Sequence, residues 1–252
     1  MRAPYRSGSS LSYAIGPGPV TPVVKALIIA NVAAFVVSAL APALASPFGL
    51  VPEEVLTEFR VWQLVTYLFL HGGLSHILFN MLTLWMFGTE LERMWGSRYF
   101  AKYYFVAGIG AGLTQILASF IPIGPLPSVY FAKTIGASGA IYGLLLAYAV
   151  YFPRRQMLFW GLFPIEVRYF VLIMGAISLL SATQGASGVA HMAHLGGIAA
   201  GYLYLKGPRI SGRFNPIAEI KYHYVKWKIG RMRRKFDIYP GGRSEGPDRK
   251  VH

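Results

Sequence analysis

Three short stretches of the sequence contain the residue types of a hydrolytic site. They are "GASGAIYG" with Ser138, "AHMAHLGG" with His194, and "HILFN" with His76 and Asn80. A serine hydroxyl becomes a nucleophile when a base takes its proton, and a neutral imidazole does this near neutral pH. The oxyanion that follows needs hydrogen-bond donors, which the Asn80 amide, a His76 N–H and the free backbone N–H groups at Ala137 and Ser138 can supply.

Ser138 alone has a second interpretation, because Gly, Ala and Ser are common where membrane helices pack closely. Two pairs of glycines four residues apart follow this small-residue pattern: Gly139 with Gly143, and Gly197 with Gly201. Ser138 immediately precedes the first pair, and His194 lies about one turn before the second. If the two glycine faces pack on each other, the serine and the histidine come within hydrogen-bond reach.

The composition indicates a protein that spans a membrane several times. Hydrophobic residues make up 54% of the 252 residues and charged residues only 13%, whereas soluble domains have roughly twice that charged fraction. Six apolar stretches are long enough to cross a bilayer as helices. They are residues 22–44, 74–91, 99–120, 135–152, 168–184 and 188–205. The absence of cysteine excludes disulfides, thiol nucleophiles and thiolate metal sites.

The first stretch also resembles a signal peptide, with Lys25, an apolar segment and a small-x-small end. Its apolar segment is long for that role and five more stretches follow, so we interpret it as a retained anchor. The sequence leaves open whether it is cleaved.

The distribution of Lys and Arg predicts the orientation, because short cytoplasmic loops are enriched in these residues. The loops after the second and fourth spans contain Arg93, Arg98, Lys102, Arg154, Arg155 and Arg168, whereas those after the first and third contain Arg60 and Lys133. We therefore expect both termini in the cytoplasm. Spans two, four and six then all enter from the outer face, which places "HILFN", "GASG" and "AHLGG" at the same depth.

A Ser-His-Asp triad would also need a carboxylate to orient the histidine. Outside the C-terminal tail the acidic residues are Glu53, Glu54, Glu58, Glu90, Glu92 and Glu166. None of them falls in the outer layer of spans two, four or six, so the sequence predicts a Ser-His dyad. Tyr142, one turn after Ser138, is a candidate to stack against the His194 ring.

In this order and on alternating spans, "HILFN", "GASGAIYG" and "AHLGGIAAG" resemble the rhomboid intramembrane serine proteases. The resemblance covers residues 22–205 and is dense in 61–205. It implies an all-α, six-helix membrane bundle with a Ser-His dyad in a water-filled pocket open to the outer face. It also implies cleavage of membrane-anchored proteins, with small residues at the cleavage site.

The resemblance assigns roles residue by residue. Ser138 in GxSG matches the nucleophile, and His194, rather than His191, matches the base. His76 and Asn80 match the oxyanion residues, and Tyr142 matches the tyrosine four positions after the serine; we include Ala137 in the same oxyanion and substrate-binding group. One departure is present: many members have Trp-Arg in the first outer loop, where this chain has Trp62 and Gln63.

The predicted organisation has a cytoplasmic N-terminal tail (1–21), a six-helix protease domain (22–205) and a basic cytoplasmic C-terminal tail (206–252). More than half of the 24 Lys and Arg follow Leu205. Val225, Ile229, Met232 and Phe236 recur at helical spacing there, which predicts an interfacial amphipathic helix. We expect this tail to bind anionic lipid at the inner or plasma membrane rather than nucleic acid.

The predicted function is therefore an intramembrane serine endopeptidase without cofactor or metal, acting on single-pass or multi-pass membrane proteins. The alternative is a non-catalytic member of the same fold that escorts membrane proteins, although such relatives lose the serine or the histidine. A transporter would need paired ionisable groups at mid-membrane or internal repeats, and the sequence has neither. A metal site at His71, His76, His191 and His194 would lack Cys and carboxylate ligands.

Overall fold

The computed structural model describes residues 17–120, 127–159, 163–183 and 188–207. Its first half contains α1 (Pro22–Leu40), α2 (Pro42–Ala45), α3 (Pro52–Thr57), α4 (Gln63–Thr66), α5 (Leu74–Thr83), α6 (Thr89–Trp95) and α7 (Ser97–Ala118). Short 3₁₀ turns occupy Ser46–Phe48 and Tyr67–Phe69. Then follow α8 (Pro127–Phe131), α9 (Ser138–Tyr151), β1 (Gln156–Phe159), β2 (Phe163–Glu166), α10 (Val167–Thr183) and α11 (Gly188–Lys206). The predicted C-terminal helix lies outside the described residues.

Helices α7, α9 and α11 form the centre of the bundle, and α11 makes its most extensive contacts with α7 and then with α9. Large aromatic side chains fill this centre, among them the fully buried Phe100, Tyr103 and Tyr67. The Tyr103 hydroxyl donates to the Gly143 carbonyl at 2.7 Å, and the Tyr67 hydroxyl donates to the Gly108 carbonyl at 2.8 Å. These two buried hydroxyls are thus satisfied by helix carbonyls, which ties the neighbouring elements to one another.

Helix α1 is held at its N-terminus by a carboxylate from α6. Glu92, 2% exposed, accepts hydrogen bonds from the backbone N–H groups of Val23 and Val24, both at 3.0 Å. It also accepts from the Thr21 hydroxyl at 2.5 Å and from the Ser97 hydroxyl at 2.6 Å. A negative charge at the start of a helix binds free amide groups and complements the helix dipole.

The helix from Leu74 to Trp95 is continuous but contains a π-helical turn at Leu84–Gly88. Residues before the turn contact both α1 and α9, and Glu92 after it binds the start of α1. A π turn accommodates one residue more than the α-helix around it.

The segment between α1 and α5 is organised around Gln63, whose side chain is fully buried. Its Oε1 accepts the Val51 N–H at 2.9 Å, while its Nε2 donates to the Pro47 carbonyl at 3.2 Å and to Glu54 at 2.5 Å. Arg60 pairs with Glu54 at 2.9 Å. Gln63 thus supplies both a donor and an acceptor to the loop at the position where the sequence departs from the Trp-Arg pattern.

The segment between α9 and α10 forms an antiparallel hairpin, with Gln156 opposite Glu166 and Phe159 opposite Phe163. The sequence predicted only a cytoplasmic loop here, within an all-α chain. At the base of the hairpin, Glu90 accepts hydrogen bonds from Tyr148 and from Arg155, the latter at 2.6 Å. The described chain is therefore mostly helical with one small sheet.

Outward-facing apolar side chains are prominent on α1, α5 and α10, among them Val36, Phe79 and Leu172. By length and composition, α1 is the one described helix that could cross a bilayer unaided. Residues Gln63–Phe69 and Leu74–Trp95 meet the same criterion only as a pair bent by 99°. The six-span count and the cytoplasmic termini stay predictions.

Candidate active site

Ser138 is the first residue of α9, and the segment before it is fixed by backbone hydrogen bonds to two other parts of the chain. Thr134 pairs with Leu50 in an isolated antiparallel bridge, and the Gly136 N–H donates to the Tyr67 carbonyl at 2.9 Å. Gly136 has φ +122°, a conformation that residues with a Cβ atom rarely adopt. Gly136, two residues before the serine, is therefore required by the backbone path that leads to Ser138.

His194 on α11 reaches this hydroxyl directly, with Nε2 2.8 Å from Ser138 Oγ. The glycine faces predicted to pack together are in contact: a Cβ atom on Gly197 would lie 1.9 Å from the Gly139 carbonyl oxygen. The backbones of α9 and α11 approach this closely because neither glycine has a side chain. The predicted hydrogen-bond contact between the serine and the histidine is present; their catalytic roles stay predictions.

Among the described residues, stacking rather than a carboxylate orients the His194 ring. The ring lies parallel to that of Tyr142, with centroids 4.2 Å apart and an interplanar angle of 5°, which is the stacking expected from the sequence. His194 Nδ1 is buried and has no hydrogen-bond partner among the described residues. The hydroxyl of Ser178 on α10 donates to the Tyr142 hydroxyl oxygen at 3.2 Å.

His76 faces the same space from α5. A point one Cβ bond from Gly136 lies 2.8 Å from His76 Nε2 and 3.7 Å from Ser138 Oγ. The Gly72 N–H donates to His76 Nδ1 at 3.3 Å. Because that nitrogen accepts a hydrogen bond, a neutral ring has its proton on Nε2. His76 is thus held as a donor facing the serine side of the site.

The Asn80 amide is directed along its own helix, since Nδ2 donates to the His76 carbonyl at 2.7 Å. Ala137, directly before Ser138, is fully buried. Asn80 Nδ2 is therefore engaged within α5, whereas the free backbone N–H groups at the start of α9 include that of Ser138 itself. The predicted oxyanion roles of Asn80 and Ala137 stay predictions.

His71 lies between helices and is only 5% exposed. Its ring contacts His76 edge to face, with centroids 4.9 Å apart. The Gly72-Gly73 dipeptide between them is the sequence signal that the chain turns back here. His191 similarly contacts His194, with centroids 5.8 Å apart.

No three His, Asp or Glu side chains are grouped within metal-binding distance in the part of the chain that the structure describes. The chemistry that the arrangement itself offers is nucleophilic: a hydroxyl, an imidazole in contact with it and N–H donors beside it.

Comparison with known proteins identifies the family. A family model described as the Rhomboid domain matches residues 58–207. The Rhomboid protease GluP of Bacillus subtilis (strain 168) is 35% identical over 157 residues, which are 62% of this chain and 27% of that protein.

Two further relatives are similar over comparable lengths. The Putative rhomboid protease YdcA of the same organism is 32% identical over 142 residues, covering 56% of this chain and 64% of the relative. The Rhomboid protease AarA of Providencia stuartii is 30% identical over 153 residues, covering 56% and 54%. The chain thus spans less than two thirds of the length of each of these relatives. Since the family model covers more than half of it, the chain belongs to the rhomboid family.

Proposed function

We propose that the protein is an intramembrane serine endopeptidase that cleaves membrane-anchored proteins in or near their transmembrane segments. The observation that supports this most directly is the 2.8 Å contact between His194 Nε2 and Ser138 Oγ in a member of the rhomboid family. A serine retained only for helix packing would not need an imidazole nitrogen at this distance from its hydroxyl.

In the proposed reaction His194 takes the hydroxyl proton of Ser138 while Oγ attacks the scissile carbonyl carbon. The oxyanion accepts hydrogen bonds from His76 Nε2–H, from backbone N–H groups at Ala137 and Ser138, and from Asn80 if its amide turns. The imidazolium then donates its proton to the leaving amine, and an acyl-enzyme on Ser138 forms. Water, deprotonated by His194, hydrolyses this ester and restores the serine.

The substrates we propose are single-pass or multi-pass membrane proteins. A helical peptide bond has its carbonyl engaged in a backbone hydrogen bond, so a scissile segment must first unwind. Segments with weak helix formers near the outer membrane surface unwind most readily, and we expect small residues at the cleavage site.

The arrangement in the membrane is also part of the proposal. Residues 22–205 form six spans, both termini are cytoplasmic, and the protein resides in the inner or plasma membrane. The basic tail from residue 206 binds anionic lipid at the cytoplasmic surface.

The test uses the full chain in detergent with a substrate that has one transmembrane helix. Wild type is expected to cut it and to become labelled by a serine-directed fluorophosphonate. Ser138→Ala is expected to abolish both, and His194→Ala to abolish labelling, whereas Ser181→Ala, a serine of α10, behaves as wild type. Cleavage by Ser138→Ala at the wild-type rate would refute the assignment. Substrate binding by a folded wild type without labelling would support the escort function instead.

A further inference from the structure

Ser178 is a buried polar side chain on α10 that does not contact the reacting atoms. It is 1% exposed, and its hydroxyl donates to the Tyr142 hydroxyl oxygen on α9 at 3.2 Å. Tyr142 in turn stacks on His194 of α11. Tyr142 therefore connects the three helices: it is hydrogen-bonded to Ser178 on α10 and stacked on His194 of α11.

The partner of the Ser178 hydroxyl is informative because a serine or threonine within a helix has a nearer acceptor available. Its hydroxyl commonly donates to the carbonyl four residues earlier. Ser38, Thr83 and Thr114 do so here, with distances of 2.7, 2.7 and 2.8 Å. Ser178 instead donates across the helix interface to Tyr142.

The position of the Tyr142 ring matters because it lies parallel to the His194 imidazole, whereas the His191 ring meets that imidazole edge to face. His194 Nδ1 has no hydrogen-bond partner among the described residues, so the parallel ring contact restrains rotation of the imidazole about its χ2 torsion. An electron-rich ring face also stabilises the imidazolium that forms when the base takes a proton. A tyrosine free to tilt would supply neither effect.

We propose that Ser178 is a positioning residue: its hydrogen bond holds Tyr142 parallel to His194 and thereby keeps the imidazole aimed at Ser138. The catalytic consequence rests on the proposed protease function, whereas the effect on the ring geometry does not. The position of α10 then helps to orient the base, His194, on α11.

The first experiment measures ring geometry without requiring activity. The full chain, labelled with ¹³C/¹⁵N-histidine, is reconstituted in nanodiscs, and the His194 ring signals are assigned by their loss in His194→Gln. The Tyr142 ring current shifts these signals upfield in wild type. Ser178→Ala is expected to move them toward the position of an unstacked histidine, and Ser181→Ala to leave them unchanged. Unmoved His194 signals in a folded Ser178→Ala protein would overturn the proposal.

The second experiment measures the chemical step. Ser178→Ala is expected to lower kcat by about fivefold with KM little changed, the size expected for one buried neutral hydrogen bond. Tyr142→Phe, which keeps the ring and removes the acceptor, is expected to lower kcat similarly, and the double variant no further. Additive losses would refute coupling through this bond. If wild type cuts no substrate, the proposed function fails, but the histidine spectra still decide the role of Ser178.

Discussion

Gly197→Ala is the substitution whose effect on the site follows most directly from the geometry. The added methyl group would lie 1.9 Å from the Gly139 carbonyl oxygen and 2.7 Å from its carbonyl carbon. Both atoms belong to the backbone of α9, so no side-chain rotation can relieve the clash. An ordinary carbon–oxygen contact of about 3.3 Å requires the two helices to separate by about 1.4 Å.

This displacement occurs at the residue after Ser138 on α9 and about one turn after His194 on α11. If α9 and α11 separate as rigid helices, the distance from Ser138 Oγ to His194 Nε2 rises from 2.8 Å to about 4 Å, beyond hydrogen-bond reach. A misplacement of about 1 Å lowers rates by about 100-fold. We therefore expect fluorophosphonate labelling and substrate cleavage by Gly197→Ala to fall by about two orders of magnitude, together with some loss of thermal stability.

Gly175→Ala is the matched control, because it adds the same methyl group to another helix of the bundle. There the new atom would lie 3.8 Å from Ile198 Cδ1, an ordinary contact, and alanine favours the helix. It is expected to keep the labelling rate and to unfold at the wild-type temperature or above. Wild-type labelling by a folded Gly197→Ala protein would refute the conclusion that helix separation sets the Ser-His contact.

Three further substitutions test other contacts. Gly136→Ala gives a residue with a Cβ atom a backbone φ of +122° and places that Cβ 2.8 Å from His76 Nε2. The cleavage rate is therefore expected to fall at least about tenfold, and an unchanged rate would contradict this. Glu92→Gln replaces a carboxylate that accepts hydrogen bonds at the start of α1 by an amide. The free energy of unfolding, measured by thermal unfolding, is expected to fall by about 1.5–3 kcal/mol. Gln63→Glu sets a second carboxylate against Glu54, 2.5 Å from the present Nε2, and should lower the unfolding temperature at neutral pH; equal stability would show that the loop repacks.

Much of the helical framework could be predicted from the sequence, because long apolar stretches in a chain of this composition favour helices. The predicted stretches 99–120 and 168–184 correspond to α7 at Ser97–Ala118 and α10 at Val167–Thr183. The contact of Ser138 with His194 was also predictable, since the glycine pairs beside them indicate where backbones can meet.

Other features depend on tertiary contacts that no local pattern contains. A glutamine between two apolar stretches gives no sign that it will be buried, yet Gln63 contacts three separate residues of its loop. A serine in an apolar helix has a local acceptor, so the sequence does not indicate that Ser178 donates to another helix. The strands of the β1–β2 hairpin are only four residues long, and so short an apolar pattern does not distinguish a strand from a loop.

The π turn at Leu84–Gly88 has a consequence for insertions and deletions. On one side of it His76 faces Ser138, and on the other Glu92 binds the start of α1. A π turn behaves as a single-residue insertion absorbed locally, so that the flanking helical faces keep their directions. Deleting one residue from this turn would restore an unbroken α-helix with both faces retained. The same deletion in the regular turns beside it would rotate one face by about 100°. The turn is therefore the place along this helix where chain length can change by one residue without separating its two ends from their partners.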